Sequence, residues 1–184
     1  YRLDRRTMAT ALLGGSIYAA TDSGLLAAAT TDNLMDVANW KRVSLNSLDF
    51  DDQKIVGLGA FRDRLCFVAS GGGLFYRDTD GSIKTLRKQT NLRGLTVVGN
   101  RLVAYTAEAM YVFASLEGTG EAVSAGTVNG VTALTEDGRF WVASGRNGLV
   151  GLRRRAEGQY EKAISGLKIE GPKRNEDDFM IVDR

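Results

Sequence analysis

Histidine is absent from this 184-residue sequence, and its absence removes much of the common catalytic and metal-binding chemistry. Without imidazole there is no usual general base, no imidazole metal ligand and no Ser-His-Asp or Cys-His arrangement. The carboxylates that remain lie mostly in turn-like segments such as 78–81 and 136–138. We therefore predict that the chain is not an enzyme and that it has no catalytic, metal-ligating or cofactor-binding residue.

Cysteine and proline are nearly as scarce, with one residue of each. A single cysteine, Cys66, excludes a disulfide within the chain, and its place in an apolar run predicts a small buried core residue. Long apolar runs are missing too. The longest stretches, such as 65–69 and 95–98, are far below the roughly 20 residues that a membrane-spanning helix needs. We predict no transmembrane segment in this chain.

An excess of charge of either sign is also lacking. Lys and Arg number 24 against 22 Asp and Glu, for a formal net charge of +2. This balance argues against nucleic acid or an anionic membrane as the partner. The hydrophobic content of 43% suffices for one domain with a substantial core, which places the chain among ordinary globular proteins.

Four copies of one strand pattern run through the chain. Each copy has an apolar strand, a tight turn, a second apolar strand, a short turn, and a third strand that opens on glycine or alanine. The third strands open at Gly24, Gly73, Ala109 and Gly148, at intervals of 49, 36 and 39 residues. These intervals bracket the ~40–45 residues of a four-stranded propeller blade. An insertion over 31–52 explains the longest interval.

The pattern predicts an all-β fold: a β-propeller or partial propeller with about four blades of antiparallel four-stranded meanders and the start of a fifth. The whole chain, 1–184, would be one propeller segment, and we expect it to belong to a larger propeller. The predicted blades span 7–53, 54–90, 91–127 and 128–165. Residues 166–184 are predicted to form a loop and then the first strand of a further blade.

Side-chain size predicts how the blades pack. The small residue that opens each third strand suggests a close backbone approach near a crowded central axis. A weak outer strand is expected in each copy, with poor candidates near 121–123 and better ones at 40–43, 83–86 and 160–164. The aromatic residues on the apolar strands are predicted to wedge neighbouring blades together, and they are Tyr18, Phe67, Tyr76, Tyr105, Tyr111 and Trp141.

Several segments resemble ligand-binding motifs, and for each we favour a structural interpretation. Residues 78–81, Asp-Thr-Asp-Gly, could begin a calcium loop but lack its later ligands, so we favour a hairpin turn. The glycines of 57–59 and 71–73 could cradle phosphate, but neither segment opens a helix, so we favour strand and turn. The arginines of 153–155 could bind an oxyanion, but alternate residues of a strand face opposite ways, so we favour a solvated outer strand.

Residues 31–33, Thr-Asp-Asn, followed by Asn39-Trp40, faintly resemble the Asp-box turn of sialidase-like propellers. The internal glycine of that turn is missing and the spacing is stretched. The Asp-box is a structural element, so it would not imply sugar cleavage. We predict that Trp40 packs between blades rather than stacking on a carbohydrate.

The segment Leu-Cys-Phe-Val-Ala-Ser-Gly-Gly-Gly-Leu-Phe at 65–75 is echoed by Phe-Trp-Val-Ala-Ser-Gly-Arg-Asn-Gly-Leu-Val at 140–150. Both segments resemble the repeat of the two-component-regulator propellers of Bacteroidetes-type bacteria. Residues 171–175, Gly-Pro-Lys-Arg-Asn, are similar to a connection common in those blades. Within that group the chain looks most like the PorZ-type surface propellers of the type IX secretion system.

The resemblance implies a periplasmic or cell-surface protein and a protein, glycan or lipopolysaccharide partner. It carries over no ligand-binding residue, and the sequence itself identifies none. Three functions stay open: a non-enzymatic binding or scaffold propeller of a type IX secretion or surface assembly, the ligand-sensing propeller of a hybrid two-component regulator, and a carboxylate-dependent lyase or glycosidase. Open blade edges further predict self-association, because unpaired strands invite pairing with another copy.

Overall fold

The computed structural model describes residues 6–22, 24–45, 54–124, 128–134, 139–143, 148–156 and 159–167. These residues form four sheets, each an antiparallel meander in which every strand pairs with the next one along the chain. We call the sheets blades 1 to 4 in chain order. No helix in the described ranges is long and apolar enough to span a bilayer.

Each blade contains four strands, and the bounds of all of them follow directly from the backbone pairing. Blades 1 and 2 contain the strands β1 (Thr7–Leu13), β2 (Ser16–Thr21), β3 (Gly24–Ala29), β4 (Lys41–Val43), β5 (Ile55–Phe61), β6 (Arg64–Ala69), β7 (Gly73–Arg77) and β8 (Ile83–Arg87). Blades 3 and 4 contain the strands β9 (Gly94–Val98), β10 (Arg101–Tyr105), β11 (Ala109–Phe113), β12 (Glu121–Ser124), β13 (Gly130–Leu134), β14 (Arg139–Ala143), β15 (Leu149–Ala156) and β16 (Gln159–Leu167).

Tight turns close the hairpins between the first and second strands of the blades. Gly14 and Gly15 adopt positive φ angles of 57° and 74° between β1 and β2. Arg62 and Asp63 occupy the corresponding turn between β5 and β6 with φ of 52° and 56°. Two-residue turns of this kind match the twist of the strands they join, and glycine adopts them without steric cost. Blade 2 therefore holds two L side chains in a conformation that blade 1 gives to glycine.

Three hydrophobic cores fill the spaces between consecutive blades. Side chains on the second strands alternate: Phe67 of β6 lies in the core shared with blade 1, and Cys66 and Val68 lie in the core shared with blade 3. On β10, Leu102 lies in the core towards blade 2, whereas Val103 lies in the core towards blade 4. The middle strands are thus apolar on both faces because each face meets another blade.

The first strands of neighbouring blades lie against one another. The strand β5 contacts both β1 and β9, and β9 also contacts β13. The closest approach is at Gly57, where a Cβ atom would lie 2.6 Å from the backbone nitrogen of Leu95. The crowded inner edge of the propeller therefore requires glycine on a first strand.

The glycine that opens the third strand has a different role from the predicted one. Gly73 adopts a φ of 135°, and a Cβ there would collide with the carbonyl oxygen of Arg87, the last residue of β8 in the same blade. The close approach is therefore within one sheet and not at the axis. In blade 3 the position is Ala109, whose backbone N–H donates to the hydroxyl of Thr106.

Aromatic and arginine side chains tie the blades together. As predicted, Tyr18, Phe67, Tyr76, Tyr105 and Tyr111 belong to or pack against the cores between blades. The guanidinium of Arg87 on blade 2 stacks 3.6 Å above the ring of Tyr111 on blade 3, and its Nη1 donates to the carbonyl oxygen of Thr119 at 3.0 Å. At the opposite edge of the sheet, Arg62 Nη2 donates to the carbonyl oxygen of Ala114 at 3.1 Å.

The outer part of blade 4 differs from the prediction. The strand β16 continues to Leu167, so residues 166 and 167 are strand and not the start of the predicted loop. The arginines of 153–155 lie on β15, the third strand, and not on an outer strand, and Arg153 is exposed. The predicted first strand of a fifth blade, 178–182, lies outside the described residues, as does the end of the insertion at 46–52.

Candidate functional site

A surface groove of about 400 Å³ opens at the end of blade 2 from which the chain leads on to blade 3. In an antiparallel meander, the turn between the second and third strands lies at the same end of the sheet as the connection that leaves the fourth strand. The β6–β7 turn and the segment after β8 therefore meet at one face of the propeller. The groove is lined by residues from both, and they are Gly72, Phe75, Lys88, Gln89 and Thr90.

The apolar wall of the groove is Phe75. Its ring stacks on Phe67 with the ring centroids 5.6 Å apart, and both side chains belong to the core between blades 1 and 2. Gly72 lies against it, since a Cβ at Gly72 would be 3.5 Å from the Phe75 ring. This wall is therefore held rigidly by the propeller core.

The polar side of the groove comes from the segment that follows β8. Lys88 and Thr90 are exposed, whereas Gln89 is half-buried and its amide nitrogen donates to the side-chain oxygen of Asn91. The missing side chain of Gly73 lets this segment approach β7 closely. The lining thus offers one ammonium group, one amide oxygen and one hydroxyl beside an aromatic ring, which are elements of a binding site for an anionic or hydroxyl-bearing group.

The acidic segment 78–81 forms the hairpin turn that we favoured, between β7 and β8. Asp78 Oδ1 accepts hydrogen bonds from Thr79 N–H at 2.8 Å and from Arg64 Nε at 2.8 Å. Both hydrogen bonds lower the pKa of Asp78, and the one from Thr79 has the larger effect. Hydrogen bonds from Ser82 lower the pKa of Asp80. Both carboxylates therefore stabilise the turn.

The thiol of Cys66 is fully buried between blades 2 and 3, as the sequence predicts. Burial raises its pKa to about 12, because the surroundings disfavour the thiolate. Within the part of the chain that the structure describes, no group of three or more acidic or cysteine side chains is placed to hold a metal ion. Cys66 is a packing residue.

The segment with the faint Asp-box resemblance is the long loop between β3 and β4. Trp40, predicted to pack between blades, is only half-buried and instead closes its own loop, because its indole N–H donates to the carbonyl oxygen of Leu34 at 3.1 Å.

The glycines of 57–59 lie in β5, and those of 71–73 lie in the turn before β7 and at its first residue. The strand and turn interpretation is confirmed for both.

The groove was not predicted from the sequence. Its residues come from two segments, 72–75 and 88–90, that carry no recognisable motif and are brought together only by the sheet. The one signal that could have pointed to it is Gly71-Gly72-Gly73, since three consecutive glycines exceed what a two-residue turn needs.

Comparisons with known proteins place these observations in a wider context. No protein-family model matches the sequence, and no curated protein matches it. Among solved structures, the chain is similar to PorZ of Porphyromonas gingivalis, an essential bacterial surface component of the type IX secretion system, with 24% identity and a TM-score of 0.71. The similarity covers 95% of this chain and 23% of PorZ.

Two further structures are similar at lower identity. The extracellular domain of the hybrid two-component system BT3049 of B. thetaiotaomicron is 15% identical with a TM-score of 0.59, over 85% of this chain and 21% of that one. YCF48 bound to D1 peptide is 15% identical with a TM-score of 0.59, over 91% of this chain and 56% of that one.

The chain thus spans about a quarter or less of the length of PorZ and of the BT3049 domain. At these identities the similarity establishes the fold and not the activity. The predicted likeness to PorZ-type propellers and to two-component-regulator propellers is confirmed at this level: the chain is an all-β segment of a β-propeller.

Proposed function

We propose that this propeller segment is a non-enzymatic binding or scaffolding part of a surface assembly of the type IX secretion kind. The observation that carries the proposal is the similarity to PorZ, which extends over 95% of the chain with a TM-score of 0.71. The groove at one end of blade 2 supports a binding role, because its lining combines a positive charge, hydrogen-bonding groups and a buried apolar wall. Its partner would carry a carboxylate beside an apolar group.

The second candidate is the ligand-sensing propeller of a hybrid two-component regulator. The similarity to the extracellular domain of BT3049 favours it, although the TM-score and identity are lower than for PorZ. Both functions place the chain outside the cytoplasm, and both use the propeller for binding. They differ in consequence: loss of a scaffold disturbs secretion, whereas loss of a sensor disturbs transcription.

The test removes the complete protein from the cells that produce it and measures two readouts, cargo released by the secretion system and the transcriptome. Lost cargo with little transcriptional change is the expected result. Normal cargo release together with a changed set of sugar-utilisation transcripts would favour the sensor and reject the scaffold. Cells that are normal by both readouts would contradict both functions.

Groove variants connect this test to the structure. Complementation with Lys88→Glu or Gln89→Ala should restore cargo release poorly, because either change removes a group that lines the groove. The matched control is Lys84→Glu, which reverses the charge of an exposed residue of β8 away from the groove. Equal rescue by all three variants would remove the groove from the proposal.

Self-association through blade edges stays a prediction.

A further inference from the structure

The β3–β4 loop, residues 30–40, presents an unusual cluster of exposed apolar side chains. Leu34 is 37% exposed, Met35 is 69% exposed and Val37 is 46% exposed. Among the side chains that the structure describes, Leu12 is the one other large hydrophobic residue exposed to this degree, and it also belongs to blade 1. Contiguous exposed apolar residues on a folded protein commonly mark an interaction site.

The polar side chains of the loop hold its own backbone through four hydrogen bonds. Asn33 Oδ1 accepts from the N–H of Met35 at 3.1 Å, and Asp36 Oδ1 accepts from the N–H of Ala38 at 2.9 Å. Asn39 Nδ2 donates to the carbonyl oxygen of Asn33 at 2.9 Å, and Trp40 donates to that of Leu34. Binding by a preorganised loop has a lower entropic cost than binding by a flexible one.

The corresponding loops of the neighbouring blades lack this feature. Blade 2 joins its third and fourth strands through the five residues 78–82, which are polar or glycine. Blade 3 uses 114–120, where Leu116 packs against the core between blades 2 and 3. The fold therefore needs neither the length nor the exposed apolar residues of the blade 1 loop.

The charges of the loop favour a protein partner over a membrane. Asp32 and Asp36 are exposed, and the ammonium of Lys41, which donates to the carbonyl oxygen of Ala38 at 2.7 Å, offsets one of these two negative charges. The charge that remains on the loop is negative and disfavours anionic lipid headgroups. The indole of Trp40, the group best suited to a lipid interface, is bound within the loop. An apolar tip flanked by carboxylates complements an apolar recess bordered by Lys or Arg.

We propose that the β3–β4 loop docks through Leu34, Met35 and Val37 into an apolar recess with a basic rim on a partner protein. The proposal extends the binding role proposed above to a second surface and rests on that role, but it involves none of the groove residues. Failure at the loop and failure at the groove are therefore separable in the same cells.

The first step of the test identifies the partner by photo-crosslinking from the full-length protein in the cells that produce it. A benzophenone amino acid at position 35 should yield one defined protein adduct, and the same group at position 12 should not. The adduct partner is then purified, and its affinity for the full-length protein is measured by calorimetry. Crosslinks from position 35 only to lipid, only to a second copy, or to nothing would overturn the proposal.

The second step uses variants of the loop against the purified partner. Met35→Asp should weaken binding about tenfold or more, as expected when an apolar contact at the centre of an interface is replaced by a charge. Asp32→Lys should weaken binding less, and the difference should shrink as salt is raised. The matched control Leu12→Asp should leave the affinity within about twofold. Equal weakening by Met35→Asp and Leu12→Asp, or no weakening by Met35→Asp, would overturn the proposal.

Discussion

The first strands of blades 1 and 2 occupy the same place in their sheets and differ sharply in burial. Every residue of β1 is at least partly exposed, whereas five of the seven residues of β5 are buried. Both strands pair with their second strands through a register shift at the same point, Thr7/Ala9 in β1 and Ile55/Gly57 in β5. Among the described strands, β5 contacts the first strands of two other blades, β1 and β9. The strand β1 contacts mainly one such strand, β5.

The comparison shows that burial of a propeller strand depends on its neighbours more than on its own hydrogen-bonding pattern. Ala9 and Gly57 hold equivalent positions in the two registers, since they face Ala20 and Val68 respectively. A side chain at position 9 has room, but one at position 57 would meet the backbone of blade 3. Substitutions in blade 2 and in blade 1 should therefore have unequal effects on stability, and four predictions compare the two blades.

The largest effect is expected for Phe67→Ala, in the core between blades 1 and 2. Phe67 is fully buried and stacked on Phe75, so the change leaves a cavity that the two sheets fill only in part. We expect a loss of about 3–5 kcal/mol in the free energy of unfolding, measured in urea. Leu12→Ala on β1 is the control, because Leu12 is exposed and should change stability by less than about 0.5 kcal/mol. Similar losses for both variants would refute the contrast.

A smaller loss is expected for Gly57→Ala, which gives β5 the side chain that β1 carries at Ala9. The new Cβ would lie 2.6 Å from the backbone nitrogen of Leu95, so the inner strands of blades 2 and 3 must separate. Forced overpacking of this kind costs about 1–3 kcal/mol. The reverse change, Ala9→Gly, should cost only about 0.5–1 kcal/mol through backbone entropy. A Gly57→Ala variant as stable as the parent would show that β5 and β9 are less closely packed at Gly57 than described.

The repeats made the sheets predictable. Alternation of apolar strands and glycine turns was sufficient to predict four antiparallel meanders, including the weak outer strand β12 (Glu121–Ser124) in blade 3. It was also sufficient to predict that Cys66 lies in a core and that Tyr18, Phe67, Tyr76, Tyr105 and Tyr111 belong to or pack against the cores. Each of these features depends on local periodicity, which a single sequence records directly.

Contacts between segments distant in sequence were not predictable. Gly57 and Gly73 are both strand glycines, yet one meets a neighbouring blade and the other meets the end of β8 in its own sheet. Trp40 looked like a wedge between blades because its size suits one, and its indole hydrogen bond to Leu34 carries no sequence signature. The groove likewise combines two segments without a motif.

A gain in stability is expected in blade 2 from Asp63→Gly. Arg62 and Asp63 adopt the left-handed turn that Gly14 and Gly15 adopt in blade 1, and this conformation is unfavourable for L side chains. Removing one of the two side chains should stabilise the protein by about 0.5–1 kcal/mol. The opposite replacement in blade 1, Gly15→Asp, should destabilise it by a similar amount. A destabilised Asp63→Gly variant would mean that the Asp63 side chain makes a compensating contact. Thermal unfolding followed by circular dichroism separates these outcomes.

The smallest effect is expected from the β7–β8 turn, which differs from the β3–β4 loop in using an ion pair. Hydrogen bonds from Thr79 and Arg64 hold the pKa of Asp78 below its ordinary value of 3.8. A carboxylate whose pKa is lower in the folded state contributes stability above its unfolded pKa and loses it as the pH falls through the folded pKa. The parent should therefore lose slightly more stability than Asp78→Asn on acidification below about pH 4. Urea unfolding at pH 7 and pH 3 measures this, with Asp32→Asn as an exposed control in blade 1. Identical pH dependence of the parent and Asp78→Asn would contradict a stabilising role for this carboxylate.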